Sequence, residues 1–285
     1  VTNTAKGASN DELSIWIDGV TYADPADARV SAIDHGIVVG DGVFEALKVT
    51  PAGPFAVRRH LERLSRSAAA LGLPEPDHAF LRAGIDATLA GRAWDEGKIR
   101  ITYTGGAGPL GSGPASGPPL SIVAAEPRVV YEPITAIVTA PWTRNTSGAM
   151  TGVKTTSYGE NVRGLAFAHE RDATEAIFVN TNGHVCEGTG SNIFFVFGDQ
   201  ITTPPLSAGP LAGITRELLL EWLDVEETAL SYEQALRADE VFITSSLRDV
   251  QAVNNWDGHD LAAIGPRTAE AAKVFAENSQ ADLDP

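Results

Sequence analysis

Two tight-turn signals, Asn182-Gly183 and Gly198-Asp199, stand close together in the chain, and each separates runs of apolar, β-favouring residues. The first joins residues 176–179 to a run starting at Val185; the second joins 192–197 to 201–203. Asn-Gly accepts the positive φ angles of a two-residue turn, so the pattern predicts consecutive hairpins. Further strands are expected at 14–18, 42–49, 98–104, 120–125, 225–229, 240–243 and 250–255. Between them Leu61, Leu64, Ala68 and Leu71 recur at helical spacing until Gly72 and Pro74 stop the run. Helices are also expected at 77–92, opened by Asp77 as a cap, and at 213–223, 231–237 and 266–277. Hairpins with interspersed helices imply an α+β fold of two domains, not a parallel doubly wound sheet. The passage around 126–133 sets the domains at 1–128 and 129–285, and the polar residues 1–12 read as a frayed end.

With 285 residues the chain is long enough to bury a sizeable core. No apolar run approaches the roughly 18 residues of a membrane span, and the opening residues lack a secretory pattern, so the expectation is a soluble, cytoplasmic protein. A formal charge of −16 opposes binding to a phosphate backbone, which disfavours nucleic-acid partners. The lone Cys186 excludes an internal disulfide and thiolate-rich metal sites, and it reads as a structural residue. Six histidines stand singly with no ligand spacing, so no metal is expected.

The letters GAGPLG at 106–111 satisfy a dinucleotide fingerprint, yet that motif needs a helix opening from its glycines. Pro109 and the GSGPASGPP that follows forbid one, leaving a long surface loop of the kind that often borders a site. Stronger candidates lie elsewhere. Lys154 in TGVKTTSYGEN sits among small polar residues before a helix, where it could serve as an amine nucleophile. Glu187 follows a strand in apolar surroundings and needs a partner, for which a protonated pyridine nitrogen is suitable. Arg59 at a helix start, Gly213 with Ile214 and Thr215 at another, and the Thr244-Ser245-Ser246 turn could each contribute to a phosphate site.

Taken together, GDGVFEALKV, RRHLERL, VKTTSYGENV, GHVCEGTGSNIFFV, LAGITRELLLE and DEVFITSSLRDV occur in an order that closely resembles the fold-type IV, or class IV, pyridoxal-phosphate aminotransferases. That group contains branched-chain and D-amino acid aminotransferases, some amine transaminases and 4-amino-4-deoxychorismate lyase. The resemblance covers about residues 15–273 and implies a D-amino acid aminotransferase-like two-domain fold, with the cofactor lysine in the second domain. It implies that Lys154 carries pyridoxal 5'-phosphate as a Schiff base and shuttles the proton. Glu187 would bind the ring nitrogen. Arg59 would clamp the phosphate with the main chain at Ile214 and Thr215, helped by Ser246 and its neighbour Leu247. Tyr158 would lie near the ring hydroxyl.

The implied reaction is ping-pong transfer of an amino group between an amino acid or primary amine and a 2-oxo acid. The alternative is the lyase, which releases pyruvate and 4-aminobenzoate using the same lysine. Residues 102–106 lack the arginine with which the D-amino acid enzymes grip a substrate carboxylate. Ile37 and Val39 offer an aliphatic wall where branched-chain enzymes present an aromatic residue. Arg100 and Arg144 are the candidates for holding a substrate carboxylate. The resemblance also implies a homodimer, with 105–118 or 28–39 near the mouth of the site.

Overall fold

The computed structural model describes residues 13–128, 130–262 and 264–285. The frayed end expected at 1–12 lies outside the described residues. The chain divides into two compact units. One comprises the residues up to Val130 together with Val153–Ser157 and Leu283–Pro285; the other comprises Tyr131–Gly152 and Tyr158–Asp282. A boundary at 128/129 would leave Lys154 in the second domain, whereas the stretch bearing it makes its contacts in the first unit.

In chain order the first unit contains β1 (Ser14–Ile17), β2 (Val20–Tyr22), α1 (His35–Val38), β3 (Gly42–Thr50), β4 (Gly53–Pro54), α2 (Val57–Leu71), α3 (His78–Leu89), β5 (Gly97–Thr104) and β6 (Leu120–Pro127). The strands form one antiparallel sheet in the order β2-β1-β6-β5-β3-β4. Burial alternates along β5 and β6 as a half-buried strand requires, whereas β3 is buried almost throughout. Val43, Leu47, Ile99, Ile101 and Val123 meet Leu61, Leu64 and Ala68 of α2 and Leu81 and Ile85 of α3 in one core. Asp77 caps α3 by accepting from the amides of Ala79 and Phe80, and Gly72 ends α2 at φ 75°, both as the sequence predicts.

The second unit contains β7 (Ile134–Arg144), α4 (Gly159–His169), β8 (Glu175–Asn180), β9 (Val185–Gly188), β10 (Asn192–Phe197), β11 (Gln200–Thr203), α5 (Ile214–Trp222), β12 (Val225–Glu227), α6 (Tyr232–Ala235), β13 (Glu240–Ser245), β14 (Asp249–Trp256), β15 (His259–Asp260) and α7 (Pro266–Ala281). The expected hairpins β8-β9 and β10-β11 are present. The sheet runs β12-β11-β10-β13-β14-β7-β8-β9, with β15 paired to β14. Its interior departs from an all-hairpin reading, because β7 pairs in parallel with both β14 and β8. The burial of β7 alternates only over its first few residues and gives way to exposed ones before Arg144, and no hairpin turn marks its ends, so no strand is expected there from sequence.

Candidate active site

Lys154 is fixed first by its backbone. Its carbonyl accepts from the amide of Phe44 at 3.0 Å, Val43 bridges Thr155, and the amide of Thr156 donates to Gly42 at 2.8 Å, so 153–157 runs along the edge of β3. The Lys154 amide also donates to Ser67 Oγ on α2 at 3.4 Å. The side chain then places Nζ 4.5 Å from the centre of the Phe44 ring. Arg100, exposed on β5, stacks its guanidinium on the same ring at 3.9 Å. An amine and a guanidinium therefore share one aromatic platform on this sheet, held there by the ring's negative face.

On the α2 side of β3, Glu45 is fully buried and accepts from His60 Nδ1 at 2.6 Å, Arg63 Nε at 2.8 Å and Arg63 Nη2 at 2.6 Å. Burial alone would raise the Glu45 carboxyl, but Arg63 and then His60 more than offset it and hold the group far below the usual carboxylate range. Burial lowers His60 below its ordinary value against the pull of Glu45, and the charges of Arg63 and Lys154 push the same way. His60, Arg63 and Ser67 lie at i, i+3 and i+7 on α2 and thus on one side of the helix. Sequence reasoning missed Glu45, His60 and Arg63, although that spacing was there to be read.

Arg59 is placed elsewhere. Its Nε donates to the Pro285 carbonyl at 2.8 Å, beside Arg58, whose amide and guanidinium bind Asp284 and Pro285. The guanidinium in the buried cluster with Glu45 and His60, the imidazole that feels the Lys154 charge, belongs to Arg63, one turn further along the helix. Ile37 and Val39 are exposed at 60% and 42% around α1. Asp34 and His35 join this segment to the 105–118 loop: Thr104 Oγ1 donates to Asp34 at 2.9 Å, and His35 Nε2 lies 2.9 Å from the Pro109 carbonyl. That glycine-rich stretch is an irregular loop, with no helix behind its glycines.

In the second unit Glu187 ends β9 and accepts the Leu211 amide at 2.9 Å. Arg144, expected to hold a substrate carboxylate, lies beside Glu187 at 3.5 Å, stacks on Phe178 at 4.1 Å, and donates to Glu160 at 3.0 Å. The Leu211 carbonyl accepts from Asn192 at 2.9 Å, so residues 210–213 are gripped from two sides and deliver the start of α5. Gly213 is its N-cap with no side-chain capping bond, and Ile214 and Thr215 behind it are buried. A Cβ at Gly213 would run into Asn192 Oδ1, so only glycine permits this approach. Ser246 and Leu247 lie half-buried in the turn from β13 to β14. Tyr158 is the N-cap of α4, and its hydroxyl donates to the Thr189 carbonyl at 3.0 Å. Cys186 is buried and burial, reinforced by Glu187, pushes its thiol up, which fits a structural role.

Among the described residues no group of side chains could hold a metal ion, and no helix is long and apolar enough to cross a membrane.

The chain as a whole is similar in sequence and fold to known proteins. The family model for amino-transferase class IV matches residues 42–256, and the chain belongs to that family. It has the two-domain fold-type IV architecture and the family's pyridoxal-phosphate-dependent chemistry. It is 31% identical to the bifunctional aminodeoxychorismate lyase / D-amino acid transaminase of Mycobacterium tuberculosis, over 93% of this chain and 96% of that one. The structure of the branched-chain aminotransferase from Thermoproteus uzoniensis with norvaline superimposes with a TM-score of 0.86 at 28% identity, covering 93% and 94% of the two chains. The PLP-bound form of a hypothetical aminotransferase from Mycobacterium tuberculosis gives 0.80 at 28%, covering 93% of this chain and 97% of that one.

Proposed function

We propose that this chain is a transaminase that exchanges an amino group between an amino acid or primary amine and a 2-oxo acid, working by a ping-pong cycle as a cytoplasmic homodimer. The observation that carries the substrate part is the pairing of Lys154 and Arg100 on the Phe44 ring: an amine that accepts nitrogen chemistry beside a guanidinium suited to a carboxylate.

The donor set fits pyridoxal 5'-phosphate, a molecule with an aldehyde, a basic ring nitrogen and a dianionic phosphate. When bound, that group supplies an electron sink for the carbon bearing the substrate nitrogen. Lys154 supplies the amine that holds the aldehyde and then moves the proton. Glu187 offers a carboxylate for the ring nitrogen, with Arg144 as its own counter-charge. The uncapped start of α5 at Ile214 and Thr215 presents backbone N–H groups to phosphate, and Ser246 and Leu247 add a second turn. Arg63 suits the guanidinium role better than Arg59, because Arg63 shares the buried cluster near Lys154 whereas Arg59 is turned to Pro285. Tyr158 serves the ring hydroxyl. Ile37 and Val39 offer apolar surface to a substrate side chain.

The lyase reading is kept alive by the bifunctional relative, whose name joins both activities. The two separate cleanly. Mixing the loaded enzyme with an amine donor alone should convert the bound cofactor's absorbance to that of the pyridoxamine form, and 2-oxo acid should restore it. No conversion, with pyruvate released from aminodeoxychorismate, would assign the lyase instead. Lys154→Ala should abolish covalent cofactor attachment and nearly all turnover in either case.

A further inference from the structure

Glu175 opens β8 and is 1% exposed, yet it has no part in the roles assigned above. Its carboxylate is wrapped by the loop that follows Glu187. Oε1 accepts from the Thr189 amide at 2.9 Å and from the Thr189 hydroxyl; Oε2 accepts from Ser191 Oγ at 2.9 Å and from the Gly190 amide at 3.3 Å. Arg248 Nη2, at 4.0 Å, supplies the nearest opposite charge. The loop closes on itself as well, with the Gly188 amide donating to the Ser191 carbonyl at 2.7 Å. The enclosure is tight: a Cβ at Gly188 would overlap Ser191 Oγ and lie 3.0 Å from the Glu175 carboxyl carbon.

The outer side of this loop carries the consequence. The Thr189 carbonyl accepts from Tyr158 Oη at 3.0 Å and from Asn161 Nδ2 at 2.6 Å. The Thr189 methyl packs where a Cβ on Gly164 of α4 would come within 2.8 Å. A phenol has one proton, and here it is directed at the Thr189 carbonyl, so what Tyr158 offers in any other direction is a lone pair.

We propose that Glu175 is a positioning residue: its buried carboxylate is the template on which residues 188–191 fold, and through the Thr189 carbonyl it fixes the orientation and hydrogen-bond polarity of Tyr158. The inference rests on the reading of Tyr158 as a cofactor-ring residue. A carboxylate suits the task because every group the loop turns inward is a donor, and a buried donor without an acceptor is costly. An amide at this position would aim an N–H at another N–H or hydroxyl.

The test compares the wild-type holoenzyme with Glu175→Gln, Ser191→Ala, Tyr158→Phe and the Glu175→Gln/Tyr158→Phe pair. Hydrogen exchange of the cofactor-free protein should show the Gly190 amide about tenfold faster or more in Glu175→Gln, with a smaller change at Thr189, whose amide also donates to the Ala176 carbonyl at 3.0 Å, and a smaller change again in Ser191→Ala. In the loaded enzymes, the pH midpoint of the cofactor's absorbance should move in Glu175→Gln in the same direction as in Tyr158→Phe, and the double variant should move it no further. A lower melting temperature with an unmoved absorbance midpoint would overturn the inference, as would shifts that simply add. Should Glu175→Gln not fold, Ser191→Ala decides through the same two measurements, and no change in either overturns it. If the wild-type chain takes up no cofactor, the reading of the site fails and this inference with it; if the wild type and Tyr158→Phe behave as expected while Glu175→Gln does not, only this inference fails.

Discussion

Nη2 of Arg144 lies 3.5 Å from Oε1 of Glu187, buried and without a hydrogen-bond partner, while its guanidinium rests on the Phe178 ring. The arginine thus gives Glu187 a fixed positive neighbour without consuming its oxygens in tight hydrogen bonds. Removing either partner should weaken the carboxylate's hold on a protonated ring nitrogen. Glu187→Gln is expected to slow the half-reaction with an amine donor by about a hundredfold or more, and Arg144→Met by about tenfold. The double variant should be no slower than Glu187→Gln, because groups acting as one unit do not add. Single-turnover absorbance kinetics read this directly, and independent effects would break the proposed coupling.

Arg59 and Arg63 are one helical turn apart but have different surroundings, and their variants should separate accordingly. Arg59→Ala loses a bond to the Pro285 carbonyl at a half-buried position and should leave cofactor affinity within about threefold of wild type. Arg63→Ala strips Glu45 of its counter-charge; an uncompensated buried carboxylate costs about 3–5 kcal/mol. Arg63→Ala should therefore melt well below wild type and bind cofactor weakly. Arg63→Ala with Glu45→Gln, which removes the stranded charge, should recover much of the stability but not the affinity. Full recovery of affinity would show that Arg63 serves packing alone.

The contrast between these two arginines shows what could be read from the chain. The motif RRHLERL announces a helix and a cluster of cations, but it does not state which cation turns inward. Helical spacing groups His60 with Arg63 and Ser67, whereas the partner of Arg59 lies more than two hundred residues along the chain, beyond the reach of local pattern. Glu45 and Glu175 were hidden for the same reason. Each is one letter inside a strand, and each becomes significant only when pairing brings a helix or a loop against it. The helices and the antiparallel strands with turn signals were legible because local chemistry sets them. Strand β7 was not, since it has parallel neighbours and no hairpin turn to mark its ends.

The Glu45–His60–Arg63 cluster also gives the fold an acid limb. His60 has a folded pKa below its ordinary value of about 6.5, so between the two values the unfolded chain binds more protons and stability falls as pH drops. Glu45 is also depressed, and its contribution, present above an unfolded value of about 4.3, is lost as pH falls toward the folded one. Melting temperature should thus decline in two stages, first below about pH 6.5 and again below about pH 4.3. His60→Gln should flatten the first stage and leave the second. A melting curve that improves between about pH 6.5 and 5 would contradict the buried, neutral imidazole.

Arg100 offers the most direct test of substrate class. Its guanidinium is exposed and stacked 3.9 Å from the centre of the same Phe44 ring that Lys154 Nζ approaches at 4.5 Å. A substrate whose nitrogen reacts at the lysine can therefore direct a carboxylate along the ring toward the arginine. Hydrogen bonds to charged groups contribute about 1.5–3 kcal/mol, so losing one should weaken binding by about tenfold or more. Arg100→Leu keeps an apolar group over Phe44 while removing the charge. It should raise KM for 2-oxoglutarate by that factor with kcat little changed, because the interaction is made equally in the ground and transition states. A simple amine donor without a carboxylate should be unaffected. If both substrates suffer alike, Arg100 supports Phe44 and the sheet instead of reading the substrate; if neither does, the carboxylate is held by another group.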